Sequence, residues 1–261
     1  LMIANNEVEQ EQLSLLAEGL ANVLSSELAD GSTTEKLLLD SSLTSCRSGE
    51  FAFNVRIQDH SGLIDLNAAD AHLLSLGFAS LGFDGQTSET LGKAAIQFRG
   101  NANAFTTQAE PTIPIGPSEH KLAPFESVSE LQEFSALASK PLHDLYSIFT
   151  VDSKRGTLSL DHAPNRLRAI LADGAGSGAS VMQVAAEAPA FTVEVTARRD
   201  TSGIAGQVGF IIERFPASAA GFRRLSRSPA AEIAEIASTS SRTCDGLFGT
   251  ETARILRGWA S

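Results

Sequence analysis

The sequence predicts an α+β protein in which a long N-terminal helix packs on an antiparallel sheet and an all-α domain is inserted into the sheet's part of the chain. Three observations carry this. Glu7 to Leu28 contains no proline and one glycine, with Leu13, Leu16, Leu20, Val23, Leu24 and Leu28 recurring at helical spacing. Strand alternation occurs at Phe51 to Leu66 and again only after Thr157. The stretch between them has helical periodicity. Residues 1–67 and 151–261 are therefore expected to form one discontinuous domain, with residues 68–150 as the insert.

The first helix begins with Glu7, Glu9 and Glu11, where negative charge suits the helix dipole, and Asp30-Gly31-Ser32 ends it. At about 100° per residue it has two apolar stripes. Leu13, Leu16, Leu20, Val23 and Leu24 form one, wide enough to cover a sheet. Leu1, Ala4, Val8, Leu15 and Gly19 form the other, and Gly19 would let a neighbouring helix come close. This second stripe is the candidate partner-binding surface. The alternative is that it packs under the chain's own C-terminal helices.

After a short apolar run at Leu37 to Leu39, Phe51, Phe53, Val55 and Ile57 alternate with Ala52, Asn54, Arg56 and Gln58, as in a strand with one buried face. Asp59-His60-Ser61-Gly62 is a turn. Ile64 and Leu66 resume the alternation, which suggests a hairpin. Asn67 stands where the N-cap of a helix through Leu73, Leu74 and Leu76 belongs. Helical pattern continues at Leu73 to Leu81, Glu89 to Phe98, Val128 to Leu137 and Leu142 to Ile148. Arg99 to Pro124, with four prolines and no period, is a long loop.

A weaker echo of the first junction follows. Gly62 to Ala69 (GLIDLNAA) aligns without gaps with Gly156 to Ala163 (GTLSLDHA), and Leu73 and Leu76 match Leu167 and Ile170. Both copies read turn, short strand, capping residue, helix. Gly174 to Gly178 lacks a following lysine and does not leave a buried parallel strand, so it reads as a turn and not a phosphate loop. Phe191 to Val195 and Gln207 to Glu213 form a hairpin around Arg199 to Gly203, and Phe222 to Leu225 adds a strand. Ala230 to Ala237 and Thr250 to Trp259 look like two short helices.

The chain has 261 residues, enough for one large domain or two smaller ones, and no apolar run long enough to cross a bilayer. It opens Leu1-Met2-Ile3 without an initiator methionine, which reads as the cut end of something longer. With 31 acidic and 20 basic side chains the formal charge is −11, which repels a phosphate backbone, so nucleic acid is not an expected partner. Cys46 and Cys244 lack redox or zinc spacing. In an oxidising compartment they are expected to form one disulfide, the alternative being two unrelated thiols.

No catalytic residue stands out. There is no G-x-S-x-G elbow, and His60, His72, His120, His143 and His162 show no paired ligand spacing. Asp59, Asp65, Asp152 and Asp161 read as turn and cap residues. Trp259 reads as a packing anchor. The helix-loop-helix character of Leu73 to Phe98 is shared with DNA-gripping modules, yet Lys93 is the only Lys or Arg between Asp65 and Phe98.

Taken together, S-G-x-I-[DN]-L-N-x-A before a leucine helix, F-x-S-V-x-E-L at Phe125 to Leu131, and a second strand-plus-Asx junction resemble the general secretion pathway protein K family, the large minor pseudopilins of bacterial type II secretion. The resemblance runs from about Leu1 to Leu225. It implies a pseudopilin fold with an inserted helical domain and a periplasmic location. It also implies other minor pseudopilins as partners at a pseudopilus tip, and an apolar N-terminal membrane segment that this chain lacks. Members can carry calcium in loop-supplied acidic sites, but the 99–124 loop offers only Glu110 and Glu119, and Gln97-Phe98-Arg99-Gly100 stands where an acid-rich stretch is expected. The rival reading is a calcium-dependent binding or enzymatic domain that uses this loop.

Overall fold

The computed structural model describes residues 2–30, 38–100, 115–117, 121–171, 181–182, 189–200, 203–229, 243–244, 247–248, 252, 254–255 and 258, with side chains from residue 6 onward. The chain divides into two compact units, residues 1–58 with 189–261, and residues 59–188.

In the first unit, helix α1 (Met2–Ala29) lies on a five-stranded antiparallel sheet. The strands β1 (Thr44–Ser48), β2 (Phe51–Asp59), β7 (Ala190–Arg199), β8 (Ala205–Arg214) and β9 (Phe222–Arg227) stand in that order. Leu13, Ala17, Leu20, Ala21, Leu24 and Leu28 are the buried row of α1. They pack with Phe53, Val55 and Ile57 of β2, Phe191, Val193 and Val195 of β7, and Phe210 and Ile212 of β8. The period-2 apolar pattern of these strands is what turns one face toward the helix. At Gly206 a Cβ would lie 2.1 Å from Ser14 N, so only glycine lets α1 settle on β8 there. Asp200 N–H donates to Glu50 O at 2.9 Å, where β2 begins and β7 ends. The sulfurs of Cys46 and Cys244 are joined, Cα atoms 4.9 Å apart, and Thr243 forms a parallel bridge with Arg47 of β1.

The second unit contains β3 (Ile64–Asp65), α2 (Ala71–Ser80), α3 (Gly85–Phe98), α4 (Leu142–Tyr146), β4 (Phe149–Thr150), β5 (Leu158–Ser159), α5 (Asn165–Ile170) and β6 (Val181–Met182). Its core gathers Leu73, Leu74, Phe78, Leu91, Phe134, Ile148 and Leu167, with the rings of Phe98 and Phe125 4.9 Å apart.

Several local expectations are corrected here. Ile64 and Leu66 do not fold back on β2 as a hairpin. A 3-10 turn at His60–Gly62 intervenes, and β3 pairs in parallel with β4. Alternation identifies a strand but not its partner. Asn67 is not the helix cap, because Asp70, three residues later, accepts from Leu73 N–H at 2.7 Å and starts α2. Val128–Glu133 is a 3-10 segment closed by a capping box between Ser127 and Glu130. Asp161 lies in a 3-10 turn, and α5 starts after Pro164. The Gly174 to Gly178 turn and the Ala230 to Ala237 helix lie outside the described residues.

The echoed junctions build matching pieces. β3 pairs in parallel with β4, and β5 pairs in parallel with β6. A Cβ on Gly62 would lie 2.0 Å from His162 O, and one on Gly156 would lie 2.9 Å from Ala68 O. In the gap-free alignment His162 is the counterpart of Ala68. Each copy's glycine therefore receives the other copy's backbone at the same position, an approximately two-fold arrangement.

Candidate functional site

The outward face of α1 is the candidate site. Val8 is 55% and Leu15 63% exposed, and with Glu11 and Glu18 they form one face at helical spacing. Gly19 is half-buried. Leu1 lies outside the described residues, and for Ala4 only the helical backbone is described. Among the described residues, nothing from the C-terminal segment covers Val8 or Leu15.

Beside this face runs a groove of 360 Å³ lined by Glu11, Ser14, Leu15 and Glu18 of α1, Val208 and Phe210 of β8, and Arg227 of β9, among others. Its polar rim is ordered: Arg224 pairs with Glu18 at 2.9 Å and lies 3.7 Å from the centroid of Phe210. The lining mixes the apolar Leu15, Val208 and Phe210 with charged and polar side chains, so it offers some burial together with charge registration. The sequence reading singles out Val8 and Leu15 and does not include Val208, Phe210 and Arg227, which line the groove beside them. The alternation of β8 marks Phe210 as inward-facing, but nothing in a single sequence brings β8 beside α1.

A polar cluster in the second unit resembles catalytic machinery and is not. Ser61 Oγ lies 2.9 Å from His162 Nδ1, and Asp59 Oδ2 lies 3.3 Å from the same nitrogen. A serine-histidine-aspartate relay needs the hydroxyl on one ring nitrogen and the carboxylate on the other. Ser61 is also only 1% exposed, so no substrate reaches it. His60, equally buried, meets Thr150 Oγ1 at 2.7 Å, and burial pushes its pKa down to about 3. The cluster ties the turn of one echoed copy to that of the other.

The residues of the two sequence signatures hold one another. Asn67 Nδ2 donates to Phe125 O at 2.9 Å, and Phe125 N–H donates to Asn67 Oδ1 at 2.7 Å. Asp65 Oδ1 accepts from Asn67 and Ala68 N–H, while its Oδ2 accepts from Ser153 Oγ and Lys154 N–H. Among the described residues, no group of three or more His, Cys, Asp or Glu stands together as a metal site. Most of the 99–124 loop, including Glu110 and Glu119, lies outside the described residues.

No protein-family model matches this sequence, and no curated protein matches it. Among solved structures, the protein is similar to one chain of the GspK-GspI-GspJ complex from the enterotoxigenic Escherichia coli type 2 secretion system. The TM-score is 0.49 and the identity 12%, covering 87% of this chain and all of that one. No helix in the described residues is long and apolar enough to cross a membrane.

Proposed function

We propose that the chain is the periplasmic part of a minor pseudopilin of the K type, a non-enzymatic subunit that packs against related pseudopilins at the tip of a type II secretion pseudopilus. The observation that carries this reading is the outward face of α1, where Val8 and Leu15 remain exposed beside a groove of mixed polar and apolar lining although the opposite row of the same helix is fully buried. A helix that only served its own fold would need one apolar row. The sequence signatures shared with that family add support, and the Cys46–Cys244 bond fits an oxidising compartment. In the same reading, residues 68–150 form the body of the inserted helical domain, and a membrane segment precedes the chain in the whole protein.

The test is co-purification with the other minor pseudopilins of the same system. Wild type is expected to be retained. Val8→Glu with Leu15→Glu is expected to lose association while the melting temperature of the isolated chain stays within about 2 °C, because exposed positions contribute little to the monomer. Undiminished association would move the interface elsewhere.

A further inference from the structure

We propose that Arg99, together with Lys121, is a built-in cation pair that holds the two ends of the 99–124 stretch where the family resemblance would put calcium. A hard cation needs several oxygens with lone pairs to spare, supplied by carboxylates and loop carbonyls. The oxygens at the start of the stretch are already engaged. The carbonyls of Leu66 and Ala69 converge on the guanidinium of Arg99, the second at 2.6 Å from Nη2. All four contacts on Asp65 come from N–H and O–H groups of the chain, and Asp70 Oδ1 is spent on capping α2. Burial lowers the Arg99 pKa and the charges of Asp65 and Asp70 raise it, so the side chain sits in the field of two carboxylates while remaining protonated.

The far end of the stretch repeats the device. Lys121 Nζ lies 2.7 Å from Glu130 Oε2 and 3.7 Å from Glu126 Oε1, and Glu130 Oε1 accepts from the N–H groups of Glu126 and Ser127. Leu122 N–H donates to Phe98 O at 2.9 Å, so the chain returns beside the residue from which Arg99 departs. Arg99 thus meets backbone carbonyls at the start of the stretch, and Lys121 meets carboxylates at its end. A divalent ion drawing on these described oxygens would have to displace the two cations and leave two half-buried charges without partners.

The consequence is a second unit whose stability does not depend on divalent metal. Melting would be followed in about 5 mM calcium, above the 10⁻⁴–10⁻³ M range typical of extracellular modules, and in chelator, with calorimetric titration of calcium into the same protein. Wild type is expected to melt at the same temperature in both, with no saturable heat. Arg99→Met, which keeps the stem but removes charge and donors, should melt lower by about 5 °C or more. Arg99→Lys should recover only part of that, because an ammonium cannot fork between two carbonyls. A calcium-dependent rise in the wild-type melting temperature, saturable calcium heat, or an Arg99→Met variant that melts like wild type would each overturn the proposal. If Arg99→Met does not fold, the wild-type calcium measurements still decide it. The outcome is separate from the assembly role, because co-purification with partners would be unaffected.

Discussion

In the first unit, the apolar side chains of α1 are divided between a buried row and the exposed Val8 and Leu15, and β9 keeps five of its six residues exposed. In the second unit, Asp59, His60, Ser61, Asp65 and Thr150 are buried and bonded inward, and Leu122 is the only exposed large apolar side chain among the described residues. One unit leaves apolar surface uncovered, whereas the other uses its polar groups to close itself. The difference separates two uses of side chains: the proposed docking face lies on α1 and the sheet, while Asp65, Asn67 and Phe125 of the sequence signatures hold the interior of the second unit together.

The largest test of this contrast is reduction of the disulfide. It closes a span of 198 residues, for which chain entropy gives about 5 kcal/mol. Cys46→Ser with Cys244→Ser should therefore lower the denaturant midpoint, and hydrogen exchange should show protection lost first in β1, β2 and β7. Protection lost first in α2 and α3 would mean that the crosslink's effect is not confined to the unit containing it.

Next in size is the reciprocal glycine contact. Gly62→Ala should cost about 3 kcal/mol or more, since its Cβ would collide with a backbone carbonyl, and Gly156→Ala about 1–2 kcal/mol. Urea unfolding of the two variants measures the pair. Equal costs near zero would show that the two copies do not press on each other as described.

The smallest effect, read over a single pH unit, is titration of His60. Its pKa is lowered to about 3 in the folded protein against about 6.5 unfolded, so the unfolded state binds a proton that the folded state refuses. The stabilisation is complete above pH 6.5 and is lost as pH falls toward 3, at about 1.4 kcal/mol per pH unit. Unfolding at pH 6.5 and pH 5.5 should show this slope in wild type and a shallower one in His60→Gln. An identical slope in both would assign the acid sensitivity to other groups.

Much of the architecture was legible because it rests on local rules. The alternation of Phe51 to Ile57 and Phe191 to Val195 announces strands, and the α1 apolar row announces a helix on a sheet. The echo of Gly62 to Ala69 in Gly156 to Ala163 was visible as letters, and its meaning as two facing copies was not, since contact between copies depends on distant residues. Pairing was illegible for the same reason. β3 finds β4 more than 80 residues further along the chain, which no turn signal encodes. At the candidate site, the half carried by α1 follows from helical periodicity, and the half carried by β8 and β9 depends on how the sheet is seated under the helix. Arg99 looked like a missing acid. Its use of Leu66 and Ala69 carbonyls depends on where α3 ends relative to the turn before α2.

β2 and β7 are neighbours in the sheet, and the chain spends residues 59–188 between them, with Glu50 and Asp200 marking the opposite end of the pair. In kinetic terms this is a hairpin whose loop has become a folding unit. An unstructured loop of that length would make the β2–β7 contact slow and entropically costly. A compact unit in place of that loop would make the same contact almost local, so the sheet's central pairing is tied to the folding of residues 59–188.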